Sequence, residues 1–199
     1  MNFKQYYMFI FLMPLYLYAE TPLYTIRKMC SDDRQGMIEN SKKNQKFYSD
    51  YVIESSDEIV EEMVDRACKA YETTGFGFVI EEVVENGERP KLLAYFVFGQ
   101  IKSEAFKHIL YASGCSEDPD FRKNDLMGEL LFYMLQDIKD HHPEILRVQW
   151  HGIHPINIAI MQRCGFIEEG HRKNYQKLPD GTFATEILGA WMNPNFKVN

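Results

Sequence analysis

The sequence predicts one α+β domain, a mixed and mostly antiparallel sheet flanked by helices. Three observations predict it. Runs rich in aromatic and β-branched residues alternate along the chain with stretches of helical period. Asn86-Gly87 stands between two such runs, the signal of a tight hairpin and hence of antiparallel pairing. The length of 199 residues, with 45% apolar and 26% charged residues, suits one domain with its own core. That composition excludes collagen-like, coiled-coil and wholly disordered chains.

Each element has a local reason. Tyr24–Met29 alternates as a short strand, and Ser31-Asp32-Asp33 opens a helix to about Asn40, with acids in its first turn. Residues 41–56 are polar and read as loop, with an extended piece over 48–53. Ser55 and Glu58 have capping-box spacing, and Ile59, Met63, Ala67 and Tyr71 then recur at helical period until Gly75. Residues 75–84 and 91–101 form the hairpin strands, and His108–Ser113 a third. Leu126, Leu130, Leu131, Met134, Leu135 and Ile138 share one helical face, with Pro143 just beyond. Ile145–Trp150 is a strand. His154-Pro155 starts a short helix that Gly165 ends. Phe166–Glu169 and Thr185–Trp191 close the sheet around a Pro179-Asp180-Gly181 turn.

The formal charge is −7, from 22 basic and 29 acidic residues. A chain without a basic excess is a poor general nucleic-acid binder, and an acidic surface favours amine-bearing partners. Residues 1–19 carry Lys4, an apolar run from Tyr6 to Ala19 and a small final residue. This is the pattern of a secretory leader, too short for a comfortable membrane span. The expectation is a leader over 1–19 and one domain over 20–199, exported or N-terminally anchored; a buried apolar element in a cytoplasmic protein is the alternative. Cys30, Cys68, Cys115 and Cys164 read as packing residues, or as disulfide partners in an exported chain. None has zinc-type spacing, so no metal site is expected.

Three pieces of sequence carry a resemblance. Asp118-Pro119-Asp120-Phe121-Arg122 precedes the helix beginning at Leu126. Cys164-Gly165-Phe166-Ile167-Glu168-Glu169-Gly170 joins a helix to a strand. Leu178-Pro179-Asp180-Gly181 precedes the closing strand. In this order, over residues 23–192, they resemble the GNAT family of acyl-CoA N-acyltransferases. The resemblance implies splayed central strands. It also implies acetyl-CoA as cosubstrate and direct attack of a primary amine, on a small molecule or a protein, within a ternary complex. A GNAT-like exported binding module without catalysis is the alternative.

The family's diphosphate loop is Gln/Arg-x-x-Gly-x-Gly/Ala at a helix start, where small residues let backbone N–H groups close on phosphate. The matching segment is Arg122-Lys123-Asn124-Asp125-Leu126-Met127, with Gly128 one place late. Asp125 and Met127 stand where small residues belong. A carboxylate ~5 Å from a phosphate at an effective dielectric of ~20 repels by roughly 3 kcal/mol, on the order of a hundredfold in affinity. Asn124 or Asp125 acting only as a helix cap is the plainer reading. The resemblance places the cofactor on Cys115, Glu117, residues 122–128 and Asn157. It also puts His154 where the family has Asn, and Met161 where it has the Tyr that protonates the leaving thiolate. His154, His151 and Glu117 are the candidate catalytic residues, histidine being the readiest base near neutral pH. A backbone N–H within 115–117 is the candidate oxyanion donor. The acceptor would lie against residues 31–73 and 170–185.

Overall fold

The computed structural model describes residues 24–47, 56–84 and 90–197. Its elements run β1 (Tyr24–Lys28), α1 (Arg34–Phe47), α2 (Asp57–Thr74), β2 (Gly77–Glu82), β3 (Leu92–Gln100), β4 (Ile109–Glu117), α3 (Leu126–His141), β5 (Arg147–Gly152), α4 (Pro155–Arg163), β6 (Ile167–Lys177) and β7 (Phe183–Met192). Short 3-10 turns over Ser31–Asp33, Glu104–Phe106 and Pro119–Asn124 lead into α1, β4 and α3. The strands form one sheet in the order β1-β2-β3-β4-β5-β7-β6. All neighbours are antiparallel except β4 and β5, which are parallel. The α+β architecture is the expected one.

The alternation of β3 sorts the core into two layers. Tyr95 and Val97 face Met37, Ile38, Val64 and Ala67, so α1 and α2 cover one side. Ala94, Phe96 and Phe98 join Leu130, Leu131, Met134 and Trp150 beneath α3 and α4 on the other. Each such apolar side chain contributes about 1.5–3 kcal/mol on burial. On the α3 side, Trp150 of β5 meets Phe96 edge-on at 5.4 Å between ring centroids, and Phe166 at 6.0 Å. These contacts tie the two halves of the sheet together.

The halves part at one place. β4 and β5 pair only over Ile109–Tyr111 and Arg147–Gln149. The cause is a bulge one step further on: Val97 and Phe98 of β3 face Gly114 and Ala112 of β4, leaving Ser113 as the extra residue. Such a residue bends its strand, and β4 turns away from β5 toward Glu117. At the bend α2 rests on bare backbone, since a Cβ on Gly114 would lie 2.9 Å from that of Ala67.

Several expectations are corrected. α1 continues to Phe47, where loop was expected. Its last turns dock through polar groups: Ser41 to the Tyr95 hydroxyl at 2.8 Å, Lys42 to Asp57 at 2.8 Å, and Lys43 to Asp118 at 2.7 Å. The cap of α2 is Ser56, which accepts from Ile59 N–H at 3.4 Å. Its buried stripe is Val60, Val64 and Ala67, with Ile59 and Met63 exposed. β4 runs to Glu117, and β6 and β7 are longer than expected. All four cysteines are free thiols. The leader, the extended piece over 48–53 and the Asn86-Gly87 turn lie outside the described residues.

Candidate active site

The segment 122–128 occupies the mouth of the β4–β5 opening. After the Pro119–Asn124 turn, Asp125 adopts φ 56°, a left-handed conformation that only short polar residues and glycine tolerate readily. This launches α3. The helix phase sends Leu126 and Met127 into the core, 0% and 5% exposed. The Met127 thioether therefore does not stand in the turn, and only its backbone N–H faces outward. That N–H donates to Glu117 Oε1 at 3.3 Å. The two carboxylates behave differently. Asp125 makes no side-chain cap of α3; it pairs with Arg163 at 2.5 Å. The pair lies directly over Gly128, where a Cβ would be 2.6 Å from Arg163 Nη2 and 2.7 Å from Asp125 Oδ1. Glu117 sits at the helix N-terminus itself. Burial pushes its carboxyl above the usual range, opposed by the Met127 N–H and the Arg122 charge. Among the described residues, then, the backbone donors of this turn already face an anion supplied by the chain.

Arg122 connects three candidates. Its guanidinium donates to Asn44 of α1, which in turn donates to Ser116 at 3.0 Å. Its charge acts on Glu117 and on His154. Lys123 is exposed and Asn124 half-buried in the 3-10 turn. His154 caps α4: its Nδ1 accepts from Ile156 N–H at 3.1 Å. Burial first, and Arg122 second, hold its pKa below the ordinary histidine value. A neutral ring whose Nδ1 accepts carries its proton on Nε2. Asn157 lies in the first turn of α4, its Cβ 3.6 Å from where a Gly152 Cβ would be. Met161 is buried in the core.

His151 has the opposite chemistry. It stands on β5 past the last β4 pairing, its Nδ1 2.5 Å from Glu186 Oε1. Glu186, on β7, is 3% exposed, and its other oxygen lies 2.7 Å from Arg172 Nε on β6. In a neutral ring whose Nδ1–H donates to this carboxylate, the lone pair is on Nε2. The ring lines a cavity of about 630 Å³ between α2 and β4, together with Tyr95, Tyr111, Cys115 and the backbone of Ser113 and Gly114. Burial pushes the Cys115 thiol up to about 12, leaving it a neutral wall group.

The opening thus has two sides. Toward α3 and α4 the Ala112–Glu117 edge of β4 has no β5 partner, and toward α2 lies the cavity with His151. The β4 edge suits an extended chain of amides, because alternate backbone groups of a strand point sideways to its neighbour and β5 has left that edge. No protein-family model matches the sequence, and no curated protein matches it significantly. Solved structures do. A ribosomal-protein-S5-alanine acetyltransferase from Vibrio fischeri superposes with a TM-score of 0.67 at 17% identity, over 88% of this chain and 96% of that one. The ribosomal-protein-S18-alanine N-acetyltransferase from Escherichia coli gives 0.63 at 16%, over 89% and 97%. A Salmonella typhimurium protein, described as an acetyltransferase and solved with its cofactor acetyl-CoA, gives 0.68 at 14%, over 88% and 96%. The chain has the GNAT fold.

Glu186, Arg172 and Arg163 escaped the sequence reading. For Glu186 a signal existed: one acid inside the apolar run Ile187–Trp191 and its flank, on a strand, needs a partner. Arg163 gave none, because its pairing with Asp125 depends on how α4 lies against α3.

Proposed function

We propose that this protein is an N-acyltransferase that transfers an acetyl group from acetyl-CoA to a primary amine. The parting of β4 and β5 beside a cavity lined by His151, itself paired with Glu186, is the observation that carries this reading. Acetyl-CoA supplies an acyl group activated as a thioester. Ala112–Glu117 of β4 would hold its amide arm, and Arg122 with the α3 N-terminus its diphosphate. The diphosphate fits there only by displacing the Glu117 carboxylate from the Met127 N–H. His151 Nε2 takes the proton of the attacking amine while Glu186 holds the ring and stabilises its charge. A C–N bond forms, the C–S bond breaks, and the thiolate leaves with the electron pair and is protonated by water. Met161 offers no proton, and a thiolate departs without one. His154, capping α4 with Nδ1, serves as a donor at the opening and Asn157 as its neighbour. Export through residues 1–19 belongs to the same proposal, and N-terminal sequencing of secreted protein tests it.

Calorimetry of the full chain with acetyl-CoA, paired with thiol release in the presence of amines, tests the reading. Binding and amine-dependent release are expected; no binding at millimolar acetyl-CoA overturns it. The acids at α3 favour the second reading, a GNAT-fold binding module without catalysis, and that result would leave it standing.

A further inference from the structure

The cavity that holds His151 has a charge opposite to that of the protein. The chain carries −7 overall. Yet the side chains around this cavity include Arg66 and Lys69 of α2 and Lys102 beyond β3, and among the described residues no carboxylate lines it. All three cations are exposed at its rim. Among the described residues, none of the three is in an ion pair. Glu62 and Glu72 stand one turn from Arg66 and Lys69 on the exposed face of α2, outside the cavity lining, and two further acids are engaged elsewhere. Asp65, whose charge is felt by Lys69, is held by Arg34 at 2.7 Å. Glu186 behind His151 is held between that ring and Arg172. The Tyr95 hydroxyl is bonded to Ser41. The walls otherwise are Met63, Ala70, Thr73, Gln100, Tyr111 and the strand 112–115.

Range decides which charge a ligand feels. At physiological ionic strength the field of remote surface charges is screened over about 8 Å, so the distant acidic excess counts for little inside the cavity. Three cations at its rim count for more. They neither bind a cation nor assist removal of a proton from an ammonium by contact, since they cannot accept one. They would, however, draw an anionic group and hold the rest of its molecule beside His151.

From this we propose that the acceptor is a primary amine carrying an anionic group, a carboxylate or a phosphate, held by Arg66, Lys69 and Lys102. The inference rests on the acyltransferase reading for the fate of the amine, but the anion site stands on the cavity alone. Two sources share this chemistry, a small phosphorylated or carboxylated amine and the amino terminus of an acidic peptide.

The test uses the full chain, acetyl-CoA and matched acceptors: glucosamine 6-phosphate against glucosamine, and the peptide Ala-Glu-Glu against Ala-Gln-Gln. Thiol release is expected to show kcat/KM higher by about tenfold for the anionic member of one pair, the pair naming the source. Arg66→Glu with Lys102→Glu should erase that preference, with acetyl-CoA affinity by calorimetry unchanged. Equal or better use of the neutral member in both pairs overturns the proposal, as does a preference that survives the double substitution. If acetyl-CoA does not bind, the acyltransferase reading fails separately. The four probes are then titrated alone. Binding of an anionic probe that the double variant abolishes upholds the site, and no binding overturns it.

Discussion

At one end of the β4–β5 opening the first turn of α3 faces Glu117 and Asp125; at the other, the cavity under α2 is rimmed by Arg66, Lys69 and Lys102. The first end has a geometry that favours anions, a helix N-terminus with outward N–H groups, yet it also holds two acids, set against Arg122 and Arg163. The second has no helix N-terminus and is furnished with cations. The difference separates what a fold supplies from what side chains supply. Backbone donors come with the turn, whatever its sequence. The charge that meets a ligand is set by a few residues, which can oppose the backbone or replace it. The same contrast holds for the two histidines. His154 has its Nδ1 lone pair committed to α4, whereas His151 has a carboxylate that leaves its Nε2 lone pair available.

The largest expected effect is at His151. His151→Ala should lower turnover by about 10²–10⁴-fold, the range of general base catalysis, with acetyl-CoA affinity by calorimetry unchanged. Glu186→Gln should also lower turnover and shift its pH–rate profile, because an amide no longer stabilises the imidazolium. A His151→Ala enzyme with full turnover would erase the distinction between the two histidines.

Next comes Asp125→Gly. It removes a carboxylate, relieves a left-handed backbone and leaves Arg163 to meet the diphosphate. Acetyl-CoA should bind about 10–100-fold more tightly. Unchanged affinity would place the diphosphate away from this turn.

Glu117→Gln sharpens the comparison through pH. The folded pKa of Glu117 is raised, so its carboxyl adds stability below the ordinary carboxylate range and loses it as pH rises through the folded value. At neutral pH the Gln variant should therefore be the more stable, by denaturant midpoint, with the advantage closing in acid. Acetyl-CoA affinity of the parent should rise as pH falls and Glu117 takes a proton; in the variant this part of the dependence should vanish. The groups around it are Arg122 and Asp125.

The smallest effect is expected at His154→Asn. Asparagine is itself a good helix cap, so stability should move by no more than about 0.5 kcal/mol and turnover should persist. Loss of turnover with intact cofactor binding would return the base to His154.

The sheet and both long apolar helices were legible because burial imposes a period on sequence. The second half of α1 was not, since Ser41, Lys42, Lys43 and Asn44 dock through hydroxyl, ammonium and amide groups rather than an apolar stripe. Ser116 and Glu117 looked like loop but complete β4, because pairing with β3 needs only backbone. At the diphosphate turn, residue types could be read but helix phase could not. Phase put the Met127 side chain in the core while Asp125 stayed at the surface, so two equal-looking departures have unequal weight. The His151–Glu186 pair needed the β5–β7 register, which joins residues 35 apart in sequence.

The polar end of α1 reaches both substrates' ground at once. Asn44 holds Arg122 and Ser116, Lys43 holds Asp118 and Asp120 beside the same turn, and Ser41 holds Tyr95 at the cavity wall. If an occupant on one side shifts this helix end, linkage requires that each occupant alter the other's grip by the same factor. In the proposed reaction α1, which touches neither reacting atom, is thus the element common to the ground of donor and acceptor.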